Sequence, residues 1–191
     1  TGLAEISNLL NHDLDIMIRF TPGIECHTHE YIRTGSFDSK FGFGIEYLNT
    51  LFQRISNTKH LKLNGLHAHI GSQIFELDPH KDLGEIMVNV ILDAKKYGHY
   101  IKKLNVGGGL GIKYIEDDDP PSIDEWVRTI STSVLKACNK HNLDLPTLMC
   151  EPGRSIVSTA GITIYKIGAF KKIPGIRTYL SVDGGMSDNP R

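Results

Sequence analysis

The chain has 191 residues, of which 40% are hydrophobic and 23% charged, with a formal net charge of −1. That supplies one substantial core, and the near-neutral balance argues against nucleic acid as the main partner. No apolar run approaches membrane-spanning length, and the opening TGLAEISNLL lacks the basic and sustained apolar regions of a signal peptide.

Leu3, Ile6, Leu9 and Leu10 instead share one face of a helix that the sequence enters midway. DIMIRF (15–20) reads as a strand stopped by Thr21-Pro22-Gly23. IEYLNTLFQRI (45–55) has helical spacing, and LNGLHAHI (63–70) is again a strand. Leu83, Ile86, Met87, Val90, Ile91, Ala94 and Tyr97 keep a helical period, with Gly98 placed to end the helix. A strand through Leu104 and Val106 follows and opens into glycine. Ser122 with Glu125 three residues on is a capping-box pattern, and its helix runs through Trp126, Val127, Ile130, Val134, Leu135 and Cys138. LPTLMCEPG (145–153) and RTYLSVDGG (177–185) are strands, and GITIYKIGAF (161–170) reads as another. EDDDPPSID (116–124) is a solvated acidic loop.

Strand–helix alternation at this spacing implies α/β architecture, a parallel sheet covered by helices. The unusual residues fall where strands end: TPG, HAHIGSQ, GGGLG, EPGR and VDGG. Chemistry gathered at many strand ends favours a (β/α)8 TIM barrel over a doubly wound sheet, which concentrates it at one switch point. Five or six strands are too few to close a barrel. With no linker or boundary in sight, residues 1–191 read as one incomplete barrel domain. Three cysteines, Cys26, Cys138 and Cys150, without C-x-x-C spacing, suit reduced thiols in a cytoplasmic compartment.

The candidate chemistry starts in KKLNVGGGLGIKY (102–114). Three glycines in a row, Gly107, Gly108 and Gly109, mark either a tight turn or a backbone nest for an anion such as phosphate. The spacing fits neither a dinucleotide fingerprint nor a P-loop. His67 and His69 share one face of their strand, which suits a metal, or an imidazole lying against a planar ring. His27 and His29 repeat the H-x-H spacing in a loop, where hydrogen bonding is the simpler expectation. Glu151 either pairs with Arg154 or faces a protonated heterocyclic nitrogen while Arg154 takes an anion. A phosphate, a flat ring and a ring nitrogen together describe pyridoxal phosphate, which a carboxylate on its nitrogen turns into an electron sink.

HAHIGSQI, NVGGGLGI, EPGR and SVDGGMSDNPR, preceded by HTHEYIRTGSFDSKFGFG, closely resemble the diaminopimelate decarboxylase family, among the pyridoxal-phosphate barrel decarboxylases related to alanine racemase. The resemblance runs from end to end in family order. It implies that His69 stacks on the cofactor ring and that Ser72, Gly107, Gly108, Gly109 and the backbone of Gly153 and Arg154 cradle the phosphate. Glu151 would hold the pyridine nitrogen, and Arg154 and Arg191 the substrate carboxylates. It implies a diamino acid substrate, decarboxylation of meso-2,6-diaminopimelate to L-lysine, and a homodimer when full length, with no metal. Ornithine and arginine decarboxylases, and a non-catalytic cofactor-binding module, are the alternatives. The family's Schiff-base lysine motif (Y-A-x-K-A type) and its cysteine–glutamate–serine motif have no match here, so no catalytic residue is carried over and the isolated segment is expected to be inactive.

Overall fold

The computed structural model describes residues 2–24 and 40–188. Cys26, the His27/His29 pair and Arg191 therefore lie outside the described residues. The chain falls into two compact units, parting between Ser158 and Thr159, a division the composition does not signal.

The first unit holds the helices α1 (Gly2–Leu10), α2 (Leu48–Ser56), α3 (Asp78–Lys96), α4 (Ile123–Lys140) and α5 (Arg154–Val157). Its strands are β1 (Leu14–Thr21), β2 (Phe43–Gly44), β3 (Leu61–His67), β4 (Lys103–Asn105) and β5 (Thr147–Met149). They form one parallel sheet in the order β2-β1-β3-β4-β5. The short β2 flanks β1 on one side; on the other, β3, β4 and β5 follow in chain order, each reached through a helix (α2, α3 and α4). That steady progression is the pattern of a (β/α)8 barrel, of which this is a part, and differs from the switch point of a doubly wound sheet.

The core lies between sheet and helices: Ile18, Phe20, Leu66 and Leu104 from the strands meet Phe52, Leu83, Met87, Ile130 and Val134 from the helices. Helix ends are built as the sequence predicts. After α3, Gly98 adopts φ 84°, and the bonds Gly98 N–H to Lys95 O (3.0 Å) and His99 N–H to Ala94 O (3.2 Å) complete a Schellman motif. At α4, Ser122 Oγ accepts from the Glu125 amide and the Glu125 carboxylate accepts from the Ser122 amide (2.9 Å). The acidic loop before it is largely exposed, and Asp118 accepts from the amides of Tyr114 and Ile115.

The second unit contains β6 (Ile167–Ile173) and β7 (Arg177–Val182), paired antiparallel. The sequence suggested that the last strand belongs with the parallel set. Only Pro174, Gly175 and Ile176 separate the two, whereas a parallel pair needs a crossover of a dozen or more residues. Gly175 turns the chain at φ 75°, and Gly184 leaves room for the Tyr165 ring, which fills the space a Cβ would need.

Two buried histidines contrast. His99 Nε2 is satisfied by Phe52 O (2.9 Å) and Ser56 Oγ (3.0 Å). His80 on α3 is fully buried, edge-on to Trp126, and neither ring nitrogen has a hydrogen-bond partner. Burial, with a smaller contribution from His69, lowers its pKa to about 4. Between there and the ordinary histidine value the unfolded chain binds more protons than the folded one, so stability falls as the pH falls through that window. From that shift the loss is expected to reach about 3 kcal/mol. His80→Phe should be neutral or stabilising at pH 7 and should remove this acid sensitivity, as urea titrations at several pH values would register. Ser122→Ala should cost about 1 kcal/mol in the same assay through loss of the cap.

Candidate functional site

Register decides which residues meet. Arg19 on β1 pairs with His67 on β3, His67 with Asn105 on β4, and Asn105 with Met149 on β5. A parallel register puts these four side chains on one face at one level, and residues two further on, His69, Gly107 and Glu151, share that face just beyond the strand ends. The HAHIGSQ, GGGLG and EPGR segments thus converge at the carboxyl edge of the sheet.

The glycines are required first by the meeting of these loops. A Cβ on Gly107 (φ 69°) would lie 2.7 Å from His69 Nδ1 and 2.8 Å from Ala68 O. One on Gly108 would lie 2.2 Å from the Glu151 carbonyl oxygen, and one on Gly109 (φ 107°) 2.5 Å from Gly71 O. Two of the three amides are already used. Gly107 N–H donates to Asn105 Oδ1 (2.9 Å) and Gly108 N–H to His69 Nδ1 (3.3 Å). Of the run, Gly109 is left to offer its amide to a ligand.

Gln73, a polar donor in the sequence, finds a partner that pattern reading does not give. Its carboxamide donates to Ile112 O (2.6 Å) and accepts from Ile112 N–H (3.2 Å). Beside it, Ile74 N–H donates to Gly109 O (3.0 Å) and Gly111 N–H to Ile74 O (2.9 Å). The clamp holds the loop after β3 against the glycine loop and offsets the cost of Gln73's left-handed backbone (φ 59°).

His69, Ser72, Gly108, Gly109, Glu151, Gly153 and Arg154 line one cleft of about 220 Å³, together with Trp126. Accepting from the Gly108 amide makes His69 Nδ1 the unprotonated nitrogen of a neutral ring. Burial, reinforced by Arg19 and His67, lowers the His69 pKa, against an opposing pull from Glu151. His67 is lowered chiefly by burial as well, with Glu151 opposing and Arg19 assisting. Its Nε2 stands 3.5 Å from Glu151 Oε2, an electrostatic approach too long for a good hydrogen bond. No group of three or more His, Cys, Asp or Glu able to hold a metal occurs among the described residues.

Glu151 does not pair with Arg154; one of its oxygens accepts from Asn105 Nδ2 (2.9 Å). Within this segment β5 lies at the sheet edge, and the Glu151 side chain is half exposed there. Arg154 opens α5, and its Nη1 is buried without a hydrogen-bond partner. The Gly109 amide, the Ser72 hydroxyl and the unpartnered Arg154 Nη1 give the cleft donors for more than one anionic group, with a carboxylate and a neutral imidazole beside them. That donor set fits pyridoxal phosphate: an anionic group, a flat ring and a basic ring nitrogen.

Fold and site together define a barrel protein built to hold a phosphorylated heterocycle. Residues 2–158 match the family described as "Pyridoxal-dependent decarboxylase, pyridoxal binding domain", and the chain belongs to that family. It is 58% identical to the diaminopimelate decarboxylase of a Synechocystis strain, over 92% of this chain and 38% of that protein. With the Bacillus subtilis diaminopimelate decarboxylase the identity is 41%, over 99% of this chain and 44% of that protein. The crystal structure of Helicobacter pylori diaminopimelate decarboxylase complexed with L-lysine superposes with a TM-score of 0.80 at 29% identity, over 97% of this chain and 44% of that one. The chain thus spans less than half the length of these relatives.

Gly108→Ala should destabilise the protein by on the order of 3 kcal/mol and weaken cofactor binding, because the EPGR loop must move away. Gly153→Ala, whose Cβ would meet nothing within 4 Å, should change stability by no more than about 1 kcal/mol. Denaturant titration of both variants tests the contrast.

Proposed function

We propose that this segment forms the cofactor-holding part of a pyridoxal-phosphate-dependent decarboxylase that converts meso-2,6-diaminopimelate to L-lysine and carbon dioxide. The observation that carries the reading is the cleft where His69, Glu151, the glycine loop and Arg154, whose Nη1 has no hydrogen-bond partner, converge. The high identity to a diaminopimelate decarboxylase, and the L-lysine bound by the Helicobacter pylori relative, support this substrate over ornithine or arginine.

When bound, the cofactor supplies an electron sink for the charge left as carbon dioxide departs. The chain's own residues hold and orient it. His69 packs on the ring face as a neutral imidazole. Glu151 accepts from the protonated ring nitrogen and keeps that proton in place. Ser72, Gly109 and the backbone of Gly153 and Arg154 take the phosphate, while Gly107 and Gly108 bring the three loops close enough to form the cradle. The Arg154 side chain and Arg191 bind substrate carboxylates, and a second carboxylate is what separates this substrate from ornithine and arginine. No lysine of the segment is assigned the covalent link. In this reading the full-length protein is a cytoplasmic homodimer.

The test is borohydride reduction of the full-length protein with pyridoxal phosphate, followed by intact mass and assays with three substrates. One reduced adduct is expected, with lysine released from meso-diaminopimelate and little turnover of ornithine or arginine. Arg154→Leu should raise KM for meso-diaminopimelate by about tenfold or more, through loss of a charge-assisted contact. The isolated 191-residue segment should release no lysine. An adduct-free full-length chain, or equal turnover of all three substrates, would sink the reading.

A further inference from the structure

Asn105 is buried, at 7% exposure, and spends both ends of its carboxamide inside the site. Oδ1 accepts from the Gly107 amide (2.9 Å) and Nδ2 donates to Glu151 Oε1 (2.9 Å). The first bond fixes the second: a backbone N–H can only donate, so Oδ1 must face Gly107 and Nδ2 must face the carboxylate. The other Glu151 oxygen, Oε2, stands 3.5 Å from His67 Nε2, too long for a good hydrogen bond, so Asn105 supplies the short side-chain hydrogen bond to Glu151 among the described residues.

From this geometry we infer that Asn105 is a positioning residue for Glu151, coupling the glycine loop to the carboxylate that faces the ring nitrogen. The inference rests on the cofactor reading proposed above. Asn105 touches no ligand in this scheme. It acts by holding Oε1, which leaves Oε2, 3.5 Å from His67 Nε2, as the oxygen available to the ring nitrogen.

An aspartate at this position is nearly the same size and can still accept from the Gly107 amide. It cannot donate to Glu151 when ionised, and two carboxylates at hydrogen-bond distance repel until they share a proton. The other charged or titratable groups facing the pair are Arg19 from β1, His67 and His69 from β3 and its loop, and Arg154 from α5. Wild type measured in parallel accounts for their titration.

The experiment measures pyridoxal-phosphate affinity of the full-length protein by absorbance titration, for wild type, N105D, E151Q and the double variant. At about pH 8, N105D is expected to bind about tenfold or more weakly than wild type. Towards about pH 5.5 the gap should narrow as the carboxylate pair takes up its shared proton. In the E151Q background the aspartate should cost nothing further, because the carboxamide introduced by E151Q can donate to it in a reversed pair.

Wild-type affinity in N105D at every pH, or an added loss in the double variant equal to that in the single, overturns the positioning role. An equal, pH-independent loss overturns it too, leaving Asn105 merely structural. If wild type itself binds no cofactor, the functional reading fails along with this inference; if wild type binds and only these comparisons fail, that reading stands.

Discussion

The Glu151 carbonyl oxygen occupies the position that a side chain on Gly108 would need, and Ala68 and Gly71 carbonyls crowd Gly107 and Gly109 from the other side. This backbone-on-backbone contact is the constraint the site depends on. It draws the ends of β3, β4 and β5 closer than any residue with a Cβ would permit. The amides of Gly107 and Gly108 are then satisfied inside the protein, so a loop that resembles an open anion nest is mostly a packing element. Among the described residues the Gly109 amide has no such partner, and Ser72, Gly153 and Arg154 line the same cleft.

On that frame the electrostatics are arranged in a row. Arg19, His67, Asn105 and the chain end of β5 lie side by side in register. Burial and the Arg19 charge lower the pKa of His67 and His69, so the imidazoles remain uncharged neighbours of the Glu151 carboxylate at neutral pH. In the proposed function, a cofactor ring beside a neutral imidazole and a carboxylate would keep its own positive charge without competition from a second cation.

How much of this was legible in the sequence depended on the range of the interaction. Ser122 with Glu125, and Gly98 after an apolar stripe, are local signals, and both caps form as written. His69, Glu151 and the glycines stand out because their residue types are costly at strand ends. Gln73 and Asn105 do not stand out, since each is defined by a partner 39 or 46 residues away and only the parallel register brings them together. The pairing of Glu151 with Arg154 was suggested by adjacency alone; the turn into α5 sends the two side chains to different surroundings. The antiparallel β6–β7 pair was hidden for a similar reason: strand character is local, but direction is set by the length of the connection, here just Pro174, Gly175 and Ile176.

The clamp of Gln73 on Ile112 has a dynamic consequence. It ties both backbone groups of Ile112 to one side chain, while Ile74, Gly109 and Gly111 exchange main-chain bonds alongside. Neither loop can open without releasing the other, which makes them a single cooperative unit of local unfolding. Amide protons of Ile74, Gly111 and Ile112 are then expected to share one opening free energy in hydrogen exchange, although the whole of α3 and β4 lies between them in the chain. A ligand held at Gly109 would slow all three together and stiffen the pocket as a block.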